Sequence, residues 1–184
     1  MTSAGAGRSG RATYRHGDLR RALLEAGVEL ARGGGPDAVV LREATRRAGV
    51  APSASYRHFA DRRALLDAVC SAAQAALAVA IEDEMNTLPA GGEPTETARA
   101  RLRAVGTGYL RFAREEPGLF RTAFSASEDL RNAGSPVRAG EGGLTPFQLL
   151  GSALDGLVEA GVLPRERRPG AEFLAWSAVH GLAM

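Results

Sequence analysis

The chain has 184 residues, 45% of them hydrophobic and 24% charged, enough apolar material for one large or two small packed domains. A single cysteine, Cys70, excludes a disulfide framework and a multi-cysteine metal site; with no apolar run near the ~20 residues of a membrane span and no signal-peptide core, a cytoplasmic protein is expected. The net charge of +2 conceals a gradient, 12 Arg against 6 acids through Arg63 and 11 Arg against 15 acids from Ala64 onward, which suits a polyanion-binding head on a body with another task.

In chain order, residues 1–17 are Gly-, Ser- and Ala-rich with Arg8, Arg11 and Arg15 and no acid, and read as a disordered basic arm. Their formal G-x-G-x-x-G match at Gly5–Gly10 is no dinucleotide site, because no strand precedes it and no βαβ unit follows. A first helix is predicted from about Leu19 to Arg32, capped by Asp18 and ended by Gly33-Gly34-Gly35, with Leu19, Leu23, Ala26 and Leu30 on one face. A second, short helix spans about Leu41 to Ala48, with Leu41, Ala44 and Ala48 inward and Gly49 placed for the left-handed turn that closes it. Pro52 fits the first turn of a third helix reaching Phe59. Asp61 caps a long fourth helix, about Arg62 to Thr87, whose inward stripe is Leu66, Val69, Ala73, Leu77 and Ala80. Cys70 on it reads as a small buried hydrophobe.

The second and third helices are separated by a tight Gly turn, the form of a DNA-reading unit whose second helix lies in the major groove. Such a helix needs one or two inward anchors, here Val50 and Phe59. Small Ser53, Ala54 and Ser55 let the backbone approach the groove floor. Tyr56 can donate to a phosphate or pack on a thymine methyl, and Arg57 and His58 supply charge and donors. Arg62, at the start of the fourth helix, is placed to hold a phosphate.

Gly49-Val50, Tyr56-Arg57-His58-Phe59 and Asp61-Arg62-Arg63-Ala64-Leu65-Leu66 together resemble the signature of the tetracycline-repressor-like (TetR) transcriptional regulators, over about residues 18–70. The resemblance implies an all-α homodimer without a cofactor. A three-helix DNA-binding domain would occupy residues 18–63, and a helical domain with a ligand pocket and the dimer interface residues 64–184. It implies a base or phosphate contact for Arg42, base reading by Pro52, Ser53, Ala54 and Ser55, a phosphate contact for Tyr56 and a phosphate grip for Arg62. The chain departs from the family pattern at Val40, where Ser or Thr often caps the second helix, at Thr45, a common Ala, and at Ala51, a common Ser cap. Each lost cap costs about 0.5–2 kcal/mol.

Beyond a Pro/Gly linker at Leu88–Pro94, a helix from about Thr95 to Arg114 carries Leu102, Val105, Tyr109 and Phe112 on one face. Pro117 opens a short helix with Leu119, Phe120, Ala123 and Phe124. Residues from Ala126 to Gly143 have turn composition and read as a mobile loop. Thr145-Pro146 starts a helix ending near Gly161, and a last helix begins near Pro169. Its Trp176…His180-Gly181 resembles an element of one C-terminal subgroup of the family. Members usually continue with the rest of a dimerisation helix, so the stop at Met184 without a C-cap points to a missing end. Tyr109, Phe112, Phe120, Phe124, Trp176 and His180 are the candidate ligand contacts, since small-molecule pockets are apolar and aromatic; core packing is the plainer role of each. No second His, Cys or carboxylate stands at ligand spacing from His180, so no metal is expected.

The chain has no G-x-S-x-G, H-E-x-x-H or P-loop motif, and its acid pairs Glu115-Glu116 and Glu128-Asp129 read as solvated, so an enzyme is not expected. The expected function is a ligand-responsive DNA-binding regulator, a repressor that a hydrophobic small molecule releases from a near-palindromic operator. A DNA-binding regulator without an effector is the alternative.

Overall fold

The computed structural model describes residues 16–125 and 134–184. Among them are eight α-helices and no β-strand: α1 (His16–Gly34), α2 (Leu41–Arg47), α3 (Pro52–Ser55), α4 (Arg62–Asn86), α5 (Pro94–Glu115), α6 (Pro117–Ala123), α7 (Pro146–Glu159) and α8 (Ala171–Ala183). The all-α expectation is met. The basic arm lies outside the described residues except for His16 and Gly17, which open α1. Asp18 therefore falls inside the helix and not at its N-cap.

Most helix ends have the predicted causes. Asp61 accepts from the Ala64 amide at 2.8 Å, and Gly49 turns the chain at φ 67° after α2. Pro52, Pro117 and Pro146 occupy first turns, where a missing N–H is harmless, and so does Pro94, which the sequence assigned to a linker. Thr145 and Gln148 form a reciprocal capping box on α7.

α4 is the spine of the molecule, packed against α1, α5, α6 and α7. Its buried stripe is Leu65, Val69, Cys70, Ala73, Leu77, Ala78 and Ile81. The expected Leu66 and Ala80 are only half-buried. By length and composition α4 could cross a membrane, with a mean hydropathy of 1.9 over 18 residues, of which 39% are buried. This corrects the expectation that no such run exists; one such helix is weak evidence for a membrane span. Residues 126–133 of the expected mobile loop lie outside the described residues. The rest is pinned, since the Glu82 carboxylate of α4 accepts the backbone N–H groups of Glu141 at 2.9 Å and Gly142 at 3.1 Å.

Candidate nucleic-acid interface and ligand cavity

Leu23, Leu30, Leu41, Ala44, Phe59 and Leu65 form the small core under α2 and α3. Phe59 is fixed from outside as well, with the Arg20 guanidinium 5.2 Å from its ring centroid. Thr45, the departure from a common Ala, is buried, and its Oγ1 donates to the Leu41 carbonyl at 2.7 Å, so the extra oxygen is satisfied within α2. Val40 and Ala51 sit at the N-caps of α2 and α3 with no side-chain cap, as their apolar side chains require.

α3 proper is a single turn. Backbone bonds from Arg57, His58 and Phe59 to Ala54 and Ser55 carry the coil onward without a full α-helix. Pro52, Ser53, Tyr56 and Arg57 face outward, with Arg42 of α2 exposed alongside; Ala54 and His58 are half-buried. Tyr56 is 62% exposed, an anomaly for an aromatic side chain in a chain with so few. One of the predicted contacts needs correction, and a second has a structural role as well. Ser55 is 1% exposed and its Oγ donates to the Pro52 carbonyl at 2.7 Å, so it closes the turn from inside and presents nothing to a groove. Arg62 is exposed, but its Nε donates to the Val39 carbonyl and its Nη2 to the Pro36 carbonyl, both at 2.8 Å. That guanidinium ties the start of α4 to the α1–α2 connection.

Arg46 and Arg47, not singled out in the sequence, extend the basic surface of α2. Both converge on Glu43, with Arg46 Nη2 at 2.6 Å and Arg47 Nε at 3.2 Å. Hydrogen bonds from Arg46 and then Arg47 pull the Glu43 carboxyl down to about 2, so it stays ionised and holds both cations.

In the second half of the chain a cavity of about 180 Å³ lies between four helices. Ile81 of α4 forms one side, and Leu102, Val105, Gly106 and Tyr109 of α5 the next. Pro146 and Leu150 of α7 and Ala175, Trp176 and Val179 of α8 form its remaining walls, leaving it partly open to solvent. Of the six predicted ligand contacts, Tyr109 and Trp176 line it. Phe112, Phe120, Phe124 and His180 do not. Phe112 and Phe120 are buried in the core, while Phe124 and His180 pack 4.9 Å apart beyond Tyr109. The aliphatic walls carried no sequence signal beyond ordinary core periodicity.

Behind the cavity, the Tyr109 hydroxyl lies 2.7 Å from His180 Nδ1. Burial pushes the phenol upward, so it stays protonated and donates to Nδ1 when the imidazole carries its proton on Nε2. Trp176 stands edge-on to Tyr109 at 5.3 Å and stacks on His180 at 6.1 Å. This polar link orders α8 against α5. Among the described residues no group of three His, Cys, Asp or Glu could hold a metal.

The two regions meet at a close joint. A Cβ on Gly118 of α6 would fall 2.3 Å from the Ala31 carbonyl oxygen and 2.4 Å from that of Arg32, so only glycine lets α6 abut the end of α1. Arg32 Nε binds both Glu116 carboxylate oxygens, at 3.0 and 2.8 Å, and a further Arg32 nitrogen binds Glu29.

Residues 23–69 match the model of bacterial regulatory proteins of the tetR family, and residues 102–184 match the tetracyclin repressor-like C-terminal domain. The chain belongs to the TetR family. Its N-terminal match is the helix-turn-helix that binds DNA, so this TetR-family chain is a DNA-binding transcriptional regulator. Among solved structures it is similar to a protein of unknown function from Rhodococcus sp. RHA1, at 29% identity and a TM-score of 0.71, covering 94% of this chain and 84% of that one. A search of curated proteins gave no match.

Proposed function

We propose that this regulator is a homodimeric cytoplasmic repressor, released from a near-palindromic operator by a hydrophobic small molecule held in the α4–α5–α7–α8 cavity. The reading assigns residues 18–63 to DNA and residues 64–184 to ligand and dimer, with no catalytic role. What carries it is the continuity of α4. Ile81 lines the cavity, while Leu65 and Val69 on the same helix hold the DNA-binding helices. A ligand that shifts α4 or α6 moves the head through the Gly118 joint. Only a difference in affinity between the two arrangements can drive release.

On the head, Arg42, Pro52, Ser53, Ala54, Tyr56, Arg57 and His58 remain the proposed DNA contacts. Arg62 acts from behind them. For the dimer, Leu174 and Leu182 present an exposed apolar face on α8. Selection of binding sites from fragmented genomic DNA tests the reading, followed by anisotropy titrations of a recovered site with compounds that raise the melting temperature. Recovered sites should be near-palindromes, and at least one stabilising compound should weaken binding. Sites without two-fold symmetry would refute the dimeric reader. Stabilising compounds that all leave the affinity unchanged would refute the effector.

A further inference from the structure

Two glycines stand two residues apart in α5, and packing explains only one. A Cβ on Gly108 would lie 2.7 Å from the Ile81 Cα and 2.8 Å from the Ala80 carbonyl oxygen, so glycine there lets α5 and α4 touch backbone to backbone. A Cβ on Gly106 would meet nothing within 4 Å, although the residue is half-buried. Gly106 is not among the glycines at positive φ, and glycine is a poor residue for a helix interior. Neither packing nor backbone conformation asks for it. Gly106 does line the cavity, so the space its missing side chain leaves belongs to the cavity itself.

The volume and chemistry of that space are narrow. At about 180 Å³ it is close to the ~150 Å³ of an apolar cavity that stays dry and admits a benzene ring. None of its lining residues carries a formal charge. The polar side-chain groups among them are the Tyr109 hydroxyl, already bonded to His180, and the Trp176 indole N–H. An ion entering there would lose its hydration with no opposite charge to receive it. We propose that the cavity takes a compact, uncharged ligand, a single aromatic or alicyclic ring with at most one hydrogen-bonding group, and that Gly106 sets its size limit. This rests on the reading of the C-terminal helices as an effector domain.

Trp176 is the only tryptophan in the chain, so its fluorescence reports occupancy of the cavity without DNA. The full chain is titrated with toluene and with its charged isosteres benzoate and benzylammonium. Toluene should perturb Trp176 emission saturably, and both ions should bind about tenfold or more weakly by comparison. Gly106→Leu should weaken toluene by about tenfold or more at unchanged helicity, since its side chain fills the space. Gly106→Ala should fall between, and it decides the matter if Gly106→Leu does not fold. The proposal is overturned if toluene does not bind, if either ion binds as tightly, or if the folded Gly106 variants bind toluene like the parent. Operator affinity is read separately. Toluene that binds and obeys the variants but leaves operator affinity unchanged upholds the ligand class and removes the effector reading. An ionic compound that releases the operator from the parent and loses that effect in Gly106→Leu keeps the effector reading and overturns the class.

Discussion

At the scale of single residues, Arg42 and Arg62 look alike in the sequence, two arginines at helix starts beside a DNA-reading turn. The structure separates them. Arg62 spends two donors on the Val39 and Pro36 carbonyls, while Arg42 points outward. Arg62→Ala should cost about 1 kcal/mol of stability, the low end for charged hydrogen bonds because the group is exposed, and should weaken all DNA sequences alike. Arg42→Ala should leave the melting temperature unchanged and relax preference at one operator position by about 1–3 kcal/mol. Thermal melts with titrations against single-base operator variants check both; an Arg62 variant that melts like the parent would return that residue to the DNA surface. Glu43 gives a second contrast. Its pairing with Arg46 and Arg47 is complete above the ordinary carboxylate range near pH 4.5 and is lost as pH falls towards about 2, because the folded carboxyl titrates lower than the unfolded one. Glu43→Gln should free two cations without acid, raising affinity for random-sequence DNA and steepening its salt dependence. Affinity unchanged at low salt would mean that α2 does not face the duplex. The spacing of Tyr56, Arg57 and Phe59 made the anchor and the exposed tyrosine legible in the sequence. Nothing in spacing pairs residue 62 with residue 36, and a serine's inward turn depends on where the next turn closes, so the carbonyl ties of Arg62 and the burial of Ser55 were not legible.

At the scale of elements, helix starts were legible wherever a cap or proline fixes them locally, as at Asp61, Pro52 and Thr145. What the sequence could not disclose was how closely helices approach, because that depends on partners distant in the chain. Gly106, Gly108 and Gly118 are alike as letters, yet Gly108 and Gly118 meet the backbone of a neighbouring helix and Gly106 meets nothing. The same substitution should therefore have opposite signs. Gly106→Ala should raise stability by about 0.5–1 kcal/mol through helix propensity. Gly108→Ala and Gly118→Ala must push helices apart and should lower stability by about 1–3 kcal/mol. Denaturant melts on the three variants decide it. A neutral Gly118→Ala would mean that the α1–α6 joint yields easily and is no rigid coupling between cavity and head.

At the scale of the whole molecule, the charge gradient and the unpartnered face of α8 bear on one measurement. If two heads engage an operator, Arg42 and Arg57 act twice over, with whatever charge of Arg46 and Arg47 their shared Glu43 leaves. Four to six neutralised phosphates per dimer, an order-of-magnitude count, give a slope of log affinity on log salt of about −4 to −5. Between roughly 50 and 200 mM salt that is a loss of two to three powers of ten. Leu174 is 77% exposed on α8, far from the head in sequence, so Leu174→Glu places a charge on the apolar face without touching a DNA contact. In a dimeric reader the variant should sediment as a monomer and keep its helicity. It should bind DNA with about half the parent slope, because only one head remains to release counterions. The slope matters more than the affinity, since a merely unstable variant would lose binding without halving the number of ions released. A monomeric variant with the full parent slope would show that a single head makes all the phosphate contacts, and the dimer would then have to be explained by something other than operator reading.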